Sequence, residues 1–211
     1  MPPEPKAQIK YRTPLREAQR DQMRGRIVNA ARELFHERHY DTTTMDEIAV
    51  AAGVRRSTLY LHFRDKSEVL LELITEYGAK AKAVLALLPG PSSSLPDIRG
   101  WVDGIAAFIA RERVPLSIIV EVRRRHAFAD TMQQLTDDLL AALATNNPAW
   151  SEINTAHFDP AQRARALMLL QELTYACEVH LEDVADPCGQ ALLQIAAEDF
   201  HANLIAPTHG L

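Results

Sequence analysis

TTTMDEIAVAAGVRRSTLYLHFRDK, residues 42–66, decides how this chain folds. Thr44 and Glu47 stand three apart just ahead of Ile48 and Ala49, the spacing of a capping box. In that arrangement the hydroxyl accepts from the third helical amide while the carboxylate accepts from the amide of the capping residue. A helix therefore starts here. It is short, because Gly53 supplies the left-handed backbone that ends a helix at little steric cost. Val54 then turns inward, and a second short helix runs from Arg55 or Arg56 to Phe63, with Leu59 and Phe63 on its core side. Asp65 and Glu68 repeat the three-residue spacing. Asp65 thus caps a longer helix that carries Val69, Leu70, Leu73, Ile74 and Tyr77.

Upstream, Ile27, Ala30, Ala31, Leu34 and Phe35 recur at three- and four-residue steps, which predicts a helix from about Asp21 to near His39. Gly25 is expected at a frayed or bent beginning of it. Residues 1–20 hold Pro2, Pro3, Pro5 and Pro14 with few apolar side chains and read as a mobile arm. Downstream, the break PGPSSSLPD (89–97) separates this unit from further helical stripes: Trp101, Ile105, Phe108 and Ile109; Leu116, Ile119, Val122 and His126; then Met132, Leu135, Leu139 and Leu143. Asp159-Pro160 and Asp186-Pro187 each set an N-cap before a proline at the first helical position, where a missing donor does no harm. No alternating strand pattern and no fixed-period repeat occurs. The expectation is an all-α protein: an arm (1–20), a three-helix unit (21–66) and a helical body (67–211).

With 47% apolar and 24% charged residues over 211 positions, the composition is that of a globular protein able to bury a core. No apolar run approaches the ~20 residues of a membrane span, and MPPEPKAQIKYR lacks the apolar centre of a signal peptide, so a cytoplasmic location is expected. Cys177 and Cys188 form no CxxC and are read as buried small hydrophobes. Charge is unevenly spread. Residues 1–66 hold 13 Lys+Arg against 9 Asp+Glu, whereas the remainder holds 10 against 19. A basic front on an acidic body points to a polyanion met by the front alone.

A short helix, a glycine turn and a second short helix make a helix-turn-helix, whose second helix enters the major groove of DNA. Around Leu59 and Phe63, that helix carries Arg55, Arg56, Ser57, Thr58, Tyr60, Leu61 and His62. Arginine donates in pairs to guanine, while hydroxyl groups reach phosphates or base edges. Lys66 stands at a helix N-terminus, where free amides and the dipole favour a phosphate. Leu61 is expected to pack against a neighbour.

From Ile27 to about Leu73 the ordered set Ile48-Ala49, Ala52-Gly53-Val54, Thr58-Leu59-Tyr60, His62-Phe63 and Lys66 resembles the N-terminal domain of the TetR family of transcriptional regulators. The resemblance implies a homodimer on a palindromic operator, with a C-terminal helical domain that binds a small molecule and releases the DNA, as repressors do. By position it implies DNA contacts at Thr44, Arg56, Ser57, Thr58, Tyr60, His62 and Lys66. Two residues depart from the family's pattern. Arg55 replaces the usual hydroxyl N-cap and adds a candidate contact; His39 replaces a usual glycine and tolerates the left-handed region.

In the body, Leu167, Leu170, Thr174, Cys177 and Leu181 have the spacing of a helix-packing seam, and the last helix has two apolar sides, Leu193, Ala197, Phe200 and Leu204 against Leu192 and Ile195. The family resemblance implies that the last two helices form the dimer interface. Trp101, Phe108, Ile119, Val122, His126, Met168, Gln171 and Tyr175 are the expected pocket, apolar walls with a few polar groups. Of Arg123, Arg124 and Arg125, at most two share a face. Two other classes compete. Glu33-x-x-His36 and Glu198-x-x-His201 match the spacing used twice in carboxylate-bridged di-iron bundles, and a constitutive architectural DNA binder needs no effector. No nucleophile triad, phosphate loop or cofactor motif is present, so neither an enzyme nor a cofactor is expected.

Overall fold

A proline without an amide to satisfy opens the first helix, α1 (Pro14–Arg38). The computed structural model describes residues 14–112, 118 and 128–205. Residues 14–20, expected in the arm, are the exposed first turns of α1. Leu15, Arg16, Glu17, Ala18 and Gln19 are good helix formers, and a helix already nucleated by its buried part extends through them at little cost. Gly25 likewise lies inside the helix and not at its start, and a Cβ there would meet nothing. Ile27, Val28, Ala31 and Phe35 are the buried face of α1. The helix ends at Arg38 because His39 turns left-handed, with φ at 67°, and the Thr43 hydroxyl donates to the His39 carbonyl at 2.9 Å.

The next helix, α2 (Met45–Ala51), starts on the predicted capping box: the Thr44 hydroxyl accepts from the Glu47 amide at 3.2 Å and the Glu47 carboxylate accepts from the Thr44 amide at 2.8 Å. Gly53, with φ at 63°, ends it, and the amides of Gly53 and Val54 donate back to Val50 and Ala49. Then come α3 (Arg56–His62) and α4 (Lys66–Leu85), the latter capped by Asp65, which accepts from the Glu68 amide at 2.9 Å. The body comprises α5 (Leu95–Glu112), α6 (Ala129–Leu143), α7 (Pro160–Glu182) and α8 (Pro187–Ile205). Asp159 and Asp186 accept from the first free amides of α7 and α8. Among the described residues there is no strand.

α2 packs on α1 and α3; α4 packs on α1, α5 and α6; α8 packs on α5 and α7. One buried apolar cluster runs through all of them, from Phe35, Ile48, Leu59 and Phe63 through Leu70 and Leu73 to Ile98, Leu140 and Phe200. α4 therefore belongs to both ends of the molecule. On α7 the buried side is Ala166, Leu169, Leu173, Ala176 and Cys177, so the expected seam of Leu167, Leu170 and Thr174 is displaced to a half-buried flank. Of the two cysteines only Cys177 is buried; Cys188 is exposed, because it follows Pro187 in the first turn of α8 before that helix meets the core.

Candidate nucleic-acid interface and adjoining cavity

Leu59 anchors α3 at zero exposure, which turns Arg56, Ser57 and Tyr60 outward. Arg55 extends as the N-cap residue without a side-chain bond to the helix, as its departure from a hydroxyl residue requires. Arg56 Nη1 lies 2.9 Å from Asp46 Oδ2 on α2, and its guanidinium stands 5.6 Å from the Tyr60 ring centre. Both partners of that ion pair are solvent-exposed. Such a pair is worth about 1 kcal/mol or less, so Arg56 can exchange Asp46 for a phosphate or a guanine edge at small cost. Thr44 is exposed and Thr58 half-buried beside this row.

Other basic residues of the front unit are turned inward. Arg24 Nη1 donates to the His62 carbonyl at 2.8 Å, its Nη2 pairs with Glu72 at 2.8 Å, and its guanidinium lies 4.3 Å from the Phe63 ring centre. Arg26 Nη2 donates to the Ala52 carbonyl, the C-cap of α2, at 2.7 Å. Lys66 Nζ donates to the carbonyls of Tyr40 at 2.6 Å and Thr43 at 2.7 Å. Carbonyls at helix C-termini carry partial negative charge and lack helical partners, so cations settle there. The amine of Lys66, expected on a phosphate, thus ties the α1–α2 connection to the start of α4. His62, expected at the groove, is half-buried with Nδ1 enclosed and without a hydrogen-bond partner. Burial, then Arg20 and Arg24, hold its pKa below the ordinary histidine value.

Between α4, α5, α6 and α7 lies a cavity of about 520 Å³. Phe108, Met168, Gln171 and Tyr175 line it as the sequence reading expects. Trp101 does not: its indole N–H donates to the Val84 carbonyl at 3.3 Å and its ring meets Phe200 edge-on at 5.0 Å, so it is core. Ile119, Val122 and His126 lie outside the described residues. Sequence reasoning missed the α4 wall of Tyr77, Gly78, Ala81 and Leu85, and with it Leu135, Thr136, Thr174 and Glu178. One signal was available, a glycine inside an otherwise strong helical stripe. A Cβ on Gly78 would collide with the tip of Leu135.

The hydroxyls of Thr136 and Thr174 donate to the carbonyls of Met132 and Leu170, which leaves their oxygens as acceptors. Tyr77 stacks on Phe108 at 5.5 Å, and burial raises its hydroxyl pKa. A chain of ion pairs runs beside the cavity from α1 through α4 to α5: Arg32 to Glu76 at 3.2 Å, Glu76 to Lys80 at 3.4 Å, and Lys80 to Glu112 at 2.7 Å.

Residues 27–73 match the family model described as bacterial regulatory proteins, tetR family. That stretch is a TetR-family N-terminal domain. The HTH-type transcriptional activator FasR of Mycolicibacterium smegmatis is 43% identical to this chain over 103 residues, which is 48% of this chain and 47% of FasR. The chain thus spans about half the length of that curated relative. Among solved structures, a tetR-family transcriptional regulator from Streptomyces coelicolor superposes with a TM-score of 0.63 at 17% identity, over 87% of this chain and 80% of that one. FadR of Bacillus subtilis, solved in complex with stearoyl-CoA, gives 0.61 at 16% identity, over 85% and 98%. At these identities the structures establish the TetR-type fold and nothing finer. Among the described residues of this chain, no helix is long and apolar enough to cross a membrane. None of its described His, Cys, Asp and Glu residues form a group of three that could hold a metal, so the pairs Glu33/His36 on α1 and Glu198/His201 on α8 carry no di-iron reading.

Proposed function

We propose that the chain is a cytoplasmic, ligand-responsive transcriptional repressor that binds a palindromic operator as a homodimer and leaves it when a small molecule fills the cavity. The observation that carries this reading is the outward row of Arg56, Ser57 and Tyr60 on a helix-turn-helix braced from behind by Arg24, Arg26 and Lys66. Thr44, Arg55 and Thr58 complete the contacting set, and His62 and Lys66 act behind it. Regulation, not catalysis, is the role, and no cofactor is needed for it.

The dimer forms through α7 and α8, where Ile195 on α8 and Val184 in the turn between the two helices are exposed apolar side chains without a cover in one subunit. The effector is an apolar small molecule held by Tyr77, Phe108 and Leu135, with Gln171, Thr174 and Tyr175 supplying its polar contacts. It releases DNA because it binds best to an arrangement of α4 that the operator-bound dimer disfavours. Footprinting on DNA flanking the protein's own gene tests the proposal. A protected palindrome with half-sites about one helical turn apart, and a dimer by light scattering, are expected. A monomer without a protected site overturns it.

A further inference from the structure

Leu61 is 80% exposed on a seven-residue helix. It lies two residues beyond buried Leu59, about 200° around the helix, so it points away from the core. Ser57 precedes it by four positions and shares that outermost strip. No neighbour covers it, contrary to the packing expected from sequence.

The surroundings identify the occupant. Arg55 and Arg56 stand at the start of the same helix, and the Arg64 side chain, 87% exposed, stands just past its end. An apolar protein partner would have to dehydrate these guanidinium groups, whereas a polyanion is attracted by them. A leucine has nothing to offer a phosphate. The apolar group that duplex DNA presents in the major groove is the C5 methyl of thymine. We propose that Leu61 is a specificity-determining residue that packs on a thymine methyl in each half-site. The proposal rests on α3 being the helix that reads DNA, and its test separates the two.

Duplexes with a randomised core are selected by the wild type and by Leu61→Ala. The wild type is expected to enrich one thymine, symmetric in the two half-sites, that Leu61→Ala no longer enriches while the rest of its consensus stands. Replacing that thymine by deoxyuracil removes only the methyl. It should weaken wild-type binding on the order of five- to tenfold and leave Leu61→Ala indifferent. The same consensus from both proteins, or equal wild-type affinity for the two duplexes, overturns the role of Leu61 while the α3 reading stands. Loss of assembly between protein copies in Leu61→Ala with an unchanged thymine preference also overturns it, placing a second copy on this residue. If the wild type enriches no sequence at all, the α3 reading fails together with it. An exposed position leaves folding intact, which the unfolding temperature of the variant checks.

Discussion

Arg24 in the middle of α1 donates to the main-chain oxygen of His62, the last residue of α3, at 2.8 Å. The same guanidinium holds Glu72 on α4, so one side chain fixes α3 against the helix that lines the cavity. Arg24→Ala is expected to cost about 1–3 kcal/mol of folding stability, since it removes charge-assisted bonds to two partners. Operator affinity should fall about tenfold, a size set by the same bonds, with binding to random duplex unchanged because Arg24 is turned away from solvent. Arg24→Lys recovers part of the stability and less of the affinity, because an ammonium cannot form the fork. Equal losses on operator and random DNA would remove Arg24 from any positioning role.

Arg56 and Asp46 form an exposed pair that the proposed contact of Arg56 with DNA would break. Asp46→Asn should tighten operator binding by about two- to fivefold, since it frees Arg56 and removes an anion facing phosphates. Arg56→Ala should cost about 1–3 kcal/mol and relax specificity at one base pair. Titrations by fluorescence anisotropy check both. Weaker binding by Asp46→Asn would mean that the carboxylate aims Arg56 at its base.

Loss of the α2 cap has a predictable size. Thr44→Ala should lower stability by about 1 kcal/mol in thermal unfolding. The pH dependence carries a second signature, because hydrogen bonds from the Thr44 amide, then from its hydroxyl, hold the Glu47 carboxyl below its usual range. That contribution is present above the ordinary carboxylate pKa and is lost as pH falls through the lowered one. Thr44→Ala keeps the amide and loses the hydroxyl, so it should make this acid-side loss shallower without removing it.

His62 acts in the same direction at higher pH. Its folded pKa lies below the ordinary value of about 6.5, so the native state keeps the ring neutral where the unfolded chain takes up a proton. Its contribution is complete above pH 6.5 and declines as pH falls below it. His62→Asn should abolish that part of the stability curve; an unchanged slope between neutral pH and pH 5 would show that the ring titrates freely.

The two thiols should separate in reactivity. Burial, then the Asp103 carboxylate, pushes the Cys177 thiol up to about 12, whereas Cys188 is exposed. Native protein should therefore react fast at one thiol per chain, and Cys188→Ser should abolish the fast phase.

Local signals carried most of the DNA-binding unit. The caps at Thr44 and Asp65, the glycine at position 53 and the burial of Leu59 and Phe63 are decided within a few residues, and each stands where its spacing predicts. The inward arginines could not be read the same way. Arg24 and Arg26 meet main-chain carbonyls, which have no sequence identity, and a charge count treats them as it treats Arg56. The same holds for Trp101 and Tyr77, both apolar positions on helical stripes. Which stripe faces a cavity and which faces solid core is settled by how helices cross, and close approach at Gly78 sets that crossing.

α4 is one uninterrupted helix of 20 residues, about 30 Å long. Its first turns complete the core beneath α1, and its later turns are a cavity wall. No linker separates the helix-turn-helix from the cavity. A hybrid that joined this helix-turn-helix to another helical body at residue 66 would strip Val69, Leu70 and Leu73 of the surfaces that bury them. On the proposed function, an exchange of specificities has to carry α4 whole or replace its two faces independently, so that operator choice and effector choice travel as one piece of chain.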